Sequence, residues 1–125
     1  MNAVAQVLAV VLGVLLIVVG SLEAFQYRNQ RWFSMFHIRS EDAPAVRLWV
    51  VNLGFYNIVY GLGSIAGVVL TWAGLVAAGV GIVVFVCISH IVLAIVLLVV
   101  DRSLWRNSVY EAIFPIAVLV ALAFR

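Results

Sequence analysis

The sequence predicts an all-α integral membrane protein, an antiparallel four-helix bundle, and three observations predict it. Of its 125 residues 67% are hydrophobic and 10% charged, with a mean hydropathy of +1.27. A soluble domain is about half apolar and a quarter charged. The apolar residues fall into four runs near the length of about 20 that a spanning helix needs. Nine of the twelve charged residues lie outside those runs. The runs are continuous, where a membrane β-strand would alternate apolar and polar residues.

The composition excludes a water-soluble globule, a disordered chain and a nucleic-acid-binding domain. A single cysteine excludes a disulfide framework. The whole chain, 1–125, reads as one domain, because the loops leave no room for another. Expected spans are about 3–25, 47–72, 75–100 and 109–124. The first has no positive segment before it and is longer than a signal h-region, so it reads as retained. Asp42-Ala43-Pro44 has the form of a helix start, so the second helix should begin before its span. Ser108-Val109-Tyr110-Glu111 has capping-box spacing for the fourth helix.

Arginine sets the orientation, since the chain has no lysine. Arg28, Arg31, Arg39 and Arg47 surround the first connection, and Arg102 and Arg106 lie in the third. The second connection, Trp72-Ala73-Gly74, is uncharged, and Arg125 stands alone at the C-terminal end. Short arginine-rich loops stay cytoplasmic, so both termini are expected outside. Trp32, Trp49 and Trp105 then fall at the inner boundary and Trp72 at the outer, where indole rings are favoured. Arg31-Trp32-Phe33-Ser34-Met35-Phe36-His37-Ile38-Arg39 mixes cations with bulky apolar groups. Trp32, Phe33 and Phe36 are expected in the head-group plane. Membrane lipids are the partners this implies, and nucleic acid is not.

Polar groups inside a span are costly and need either a partner or a use. Glu23, Asn52, Tyr56, Asn57, Tyr60, His90 and Glu111 are the candidates. Most fall in the cytoplasmic half of their spans, which suggests an inward-facing polar pocket. Asn52, Tyr56 and Tyr60 recur every four residues and share a face, with Asn57 about 100° round from Tyr56. Each candidate also has a plain structural reading. His90 would bond to a neighbouring helix, with Asn57 or Tyr60 at matching depth. Glu23 would pair with Arg28 or Arg31, and Glu111 would complete its capping box. Cys87 and His90 share a helix face, but no further ligand accompanies them, so no metal and no cofactor are expected.

Gly63 and Gly67, with Gly74, Gly79 and Gly81 beyond the short turn, mark a face where the second and third helices should pack closely. Gly63-xxx-Gly67 could instead serve a homo-oligomer.

With Asn52-Leu53-Gly54-Phe55-Tyr56-Asn57 in view, the chain resembles small bacterial membrane proteins filed as domain of unknown function 1304. The resemblance covers nearly the whole length: four spans, a glutamate ending the first, and Asn-x-Gly-x-Tyr-Asn in the second. Members more often have Gln at the place of Leu53 and Gly-Pro where this chain has Phe114-Pro115. The resemblance implies a bacterial inner-membrane address and carries no activity. Three readings of function stay open. One is binding or helping to move a small lipophilic or amphipathic molecule. Another is catalysis on a lipid-soluble substrate by Glu23 and His90. The third is an accessory subunit docked on a larger complex. No catalytic residue is assigned.

Overall fold

The computed structural model describes residues 1–124. Four helices carry the chain: α1 (Ala3–Phe25), α2 (Ala43–Trp72), α3 (Val76–Val100) and α4 (Trp105–Ala123). Short 3-10 turns lie at Gln30–Trp32 and Arg102–Leu104. No strand occurs among the described residues, so the all-α class and the four helices are as predicted. Each helix, α4 together with its preceding turn, is long and apolar enough to cross a membrane. The chain is thus a multi-pass membrane protein in its helix content.

Two of the connections are set by one backbone device. After Trp72, Gly74 takes φ 86°, a left-handed conformation that glycine adopts without strain. Its N–H donates to Thr71 O at 3.2 Å, and Leu75 N–H donates to Leu70 O at 2.9 Å. These two bonds close the end of α2 and turn the chain into α3 within three residues. The first loop ends a turn in the same way, with His37 at φ 54° and Ile38 N–H donating to Phe33 O at 2.9 Å.

The start of α4 differs from the expectation. Asp101 accepts from Ser103 N–H at 2.9 Å and opens the 3-10 turn that leads into Trp105. α4 therefore begins three residues before Ser108, and Ser108 lies inside it. Its hydroxyl donates to the Ala94 carbonyl of α3. The capping box does not form, because Asp101 starts the turn earlier. At α2 the helix does begin at Ala43, before the span. The Asp42 main-chain carbonyl accepts from Ala45 and Val46. The Asp42 carboxylate instead faces Arg39 at 3.4 Å, where Glu41 also pairs. Both pairs are solvent-exposed and contribute little.

The chain packs as two compact units, one of Val14–Leu62 and the other of Met1–Gly13 with the chain from Gly63 onward. In the Val14–Leu62 unit, α1 and α2 meet at Gly20 and Gly54. A Cβ built on Gly54 would lie 2.6 Å from both Gly20 O and Ala24 N. Phe25 stands edge-on to Phe55 with centroids 5.6 Å apart. Tyr27, Phe33 and Ala43 form a small core against which Ile38, Val50 and Val51 pack. Phe33 is thus covered by protein, while Trp32 and Phe36 are half-buried.

In the other unit, α2 and α3 meet at Gly67 and Gly79. A Cβ on Gly67 would lie 2.7 Å from Val83 Cγ2 and 2.8 Å from Gly79 O. Gly63, expected on the same seam, is looser: its Cβ would meet only Val86, at 3.7 Å. Ser64 donates to Ala9 O at 2.8 Å and joins α2 to α1. Asn2 starts α1 by accepting from Ala5 N–H, and its amide donates to carbonyls at the end of α4. Trp72 Nε1 donates to Gln6 Oε1 at 2.7 Å.

Small residues are prominent in the interior, and many large apolar ones lie outside. Ala5, Ala9, Ser64, Cys87 and Ala94 are buried, while Phe85, Leu93, Ile95 and Val99 are exposed. That is the reverse of a soluble domain. It suits lipid, where helices gain nothing by hiding leucine and associate by close backbone packing.

Alanine at Gly20, Gly54, Gly67 or Gly79 should each cost about 1–3 kcal/mol through overpacking against backbone. Alanine at Gly63 or Gly81 should be neutral or slightly stabilising, since a Cβ there meets ordinary contact or open space. Thermal unfolding of the six variants in detergent checks this. Equal losses at all six would show that the packing faces are misplaced.

Candidate functional site

The polar candidates separate into two pairs, each of one buried and one half-buried residue, and a largely exposed face. The first pair is Glu23 and Asn57. Contact at Gly20–Gly54 brings the last turns of α1 against α2, and Asn57 Nδ2 donates to Glu23 Oε2 at 2.8 Å. Glu23 is only 8% exposed. The expected pairing of Glu23 with Arg28 or Arg31 is replaced by this internal bond. Asn57 thus binds Glu23 through its amide nitrogen, a charge-assisted bond if Glu23 is ionised.

The second pair is His90 and Glu111. α3 and α4 run antiparallel, and their facing residues advance by three or four at a time. Ser108 meets Ala94, Glu111 meets His90, and Pro115 and Val118 follow along the same face of α4. His90 Nδ1 lies 3.5 Å from Glu111 Oε1, and the imidazole is 2% exposed. Glu111, read from the sequence as a cap, is therefore the partner of the deepest ionisable group. Pro115 has no N–H to return to the Glu111 carbonyl four residues earlier, which loosens the helix at that turn.

Asn52 and Tyr56 lie on the exposed side of α2, with Tyr56 58% exposed. Asn57 and Tyr60 are half-buried. The four-residue spacing of Asn52, Tyr56 and Tyr60 holds, but the face it marks points largely away from the protein. Cys87 is buried with its thiol free, and no group of metal-ligating side chains occurs among the described residues.

Two cavities accompany these pairs, and none of the seven candidates lines either. One, of about 670 Å³, lies between the start of α3 and the end of α4. Val76, Val80, Val84, Leu119, Leu122 and Ala123 form its walls, with Met1 and Asn2 at its edge. The other, of about 240 Å³, lies between the end of α1 and the start of α2, with Arg28 and Arg47 in its lining. The sequence reading missed both, because a cavity arises where side chains fail to fill a gap and leaves no pattern in residue types.

The family model described as "Protein of unknown function (DUF1304)" matches residues 9–123. The chain belongs to the DUF1304 family. No curated protein matches it, and neither does any solved structure. In this DUF1304 protein the matched stretch contains both buried pairs and the Gly20–Gly54 and Gly67–Gly79 contacts.

Each buried pair should couple in a double-mutant cycle read as stability. Asn57→Leu with Glu23→Gln, and His90→Phe with Glu111→Gln, should each depart from additivity by about 0.5–2 kcal/mol. Simple additivity in both cycles would show that the pairs carry no interaction.

Proposed function

We propose that this protein binds, and helps to move, a small lipophilic or amphipathic molecule within the membrane. One observation carries the reading: the cavity of about 670 Å³ between α3 and α4. Small-molecule sites run to about 300–1,000 Å³ and are mostly apolar. Six of its eight lining residues are Val, Leu or Ala, so it favours a hydrocarbon or aromatic body over a sugar or an ion. It is only partly enclosed, so a ligand can enter without unfolding either helix.

The two buried pairs support the non-enzymatic form of this reading. Glu23 and His90 each have a protein partner, and neither lines the cavity. An acid–base pair for catalysis has to reach a substrate. Their role here is to hold α1 to α2 and α3 to α4. The reading includes a bacterial inner-membrane address with both termini outside, supported by six of the seven arginines falling in or next to two of the three connections. It also allows a homo-oligomer, for which the exposed Asn52 and Tyr56 offer polar contacts.

The test uses a doxyl-labelled fatty acid with the protein in phosphatidylcholine vesicles. Electron paramagnetic resonance should show a motionally restricted fraction. Val80→Trp or Leu119→Trp, which fill the cavity, should reduce that fraction at least twofold. Val99→Trp, on an exposed face of α3, should leave it unchanged. An equal reduction in all three variants would overturn the proposal.

A further inference from the structure

The smaller cavity, within the Val14–Leu62 unit, has a different chemistry. Its lining is Ala24, Phe25, Tyr27, Arg28, Arg47 and Val51, with a volume of about 240 Å³. Arg28, just beyond α1, and Arg47, in the first turns of α2, therefore line one space, and both are exposed at its mouth. No carboxylate is in the lining. The acids of this unit are engaged elsewhere: Glu23 accepts from Asn57, while Glu41 and Asp42 pair with Arg39. Neither Arg28 nor Arg47 has an ion pair among the described residues. Two exposed cations lining one space without an acid repel each other only modestly, and an anion there turns that repulsion into attraction.

Tyr27 supplies the second observation. It is 5% exposed, and its hydroxyl has no hydrogen-bond partner. A buried hydroxyl left unpaired is destabilising, and such a group needs a reason. Tyr27 lines the same cavity, and its hydroxyl, closed off from solvent, keeps its hydrogen free to donate to an anion's oxygens once the side chain turns toward them. Guanidinium forks match the oxygens of a phosphate group two at a time. The volume is several times the about 30 Å³ a water occupies, enough for a phosphoryl group with its ester arms. The remaining walls, Ala24, Phe25 and Val51, are apolar. Basic pockets between membrane helices hold anionic head groups in this way.

We infer that Arg28, Arg47 and Tyr27 form a binding site for a phosphate group, carried either by an anionic lipid or by a small soluble phosphate. The site is independent of the cavity between α3 and α4 and of the function assigned to it.

Thermal stability of the purified protein in a neutral detergent tests the site, with three additions: phosphatidylglycerol, phosphatidylcholine and inorganic phosphate. A ligand that binds only the folded state raises the midpoint. Phosphatidylglycerol should raise it and phosphatidylcholine should not. A rise with phosphatidylglycerol alone assigns the site to lipid, and a rise with inorganic phosphate as well assigns it to the phosphate group itself. Each arginine variant, Arg28→Gln or Arg47→Gln, should weaken the apparent affinity roughly tenfold, and the double variant should abolish the shift. Tyr27→Phe should reduce the shift while leaving the midpoint without ligand unchanged or higher. The control is Arg102→Gln with Arg106→Gln, which removes the same charge outside the cavity. The site is refuted if that control loses the shift as fully as the Arg28/Arg47 double variant, or if phosphatidylglycerol gives no shift in the unaltered protein.

Discussion

Everything in this structure depends on how closely two helix backbones can approach in a solvent that does not push them together. Lipid tails are as apolar as leucine, so burying leucine against another helix gains little there. What remains is dispersion and polar bonding at short range, and both need small residues. At Gly20–Gly54 and at Gly67–Gly79 a single Cβ would collide with the facing backbone. Those contacts fix where the longer side chains meet. Glu23 reaches Asn57 because Gly54 admits α1 to within touching distance of α2. Ser64 reaches the Ala9 carbonyl because both positions are small.

The same constraint decides the fate of the polar groups. In lipid an unpaired carboxylate or imidazole has no water to turn to. Each buried one described here is held by a neighbouring helix: Glu23 by Asn57, His90 beside Glu111, Ser108 by the Ala94 carbonyl. These bonds hold the helix pairs and stand apart from the cavities. The cavities form where packing stops. Between the start of α3 and the end of α4, valine and leucine leave about 670 Å³ unfilled. Between the end of α1 and the start of α2 the unfilled space is bordered by cations. An apolar space and a basic one suit different parts of amphipathic molecules.

Much of the architecture was legible in the sequence because it rests on length and composition. Four apolar runs make four helices, and Gly74 makes the turn between α2 and α3. The choice of contacts was less legible. Gly63 and Gly67 look alike in sequence, yet only Gly67 is in tight contact, because helix rotation decides which glycine faces a backbone. Ser108 and Glu111 carry the spacing of a cap. Asp101 starts the helix earlier and frees both side chains to face α3. Asn52 and Tyr56 form a regular stripe, but a stripe does not say whether it faces protein or lipid. Tyr27 gave no signal at all, since its importance lies in a hydroxyl that the fold leaves unpaired.

The claim that close backbone contacts set which helix faces are buried and which meet lipid can be measured without any ligand. A small apolar carbene precursor dissolved in the bilayer labels whatever side chains the hydrocarbon reaches. Mapped by mass spectrometry, the label should fall on Val18, Val59, Val92, Val96 and Val120, all about half exposed or more. It should spare Val68, Val83 and Val118, which share the same chemistry and are fully buried. Label on those three valines as heavy as on the first five would contradict the account.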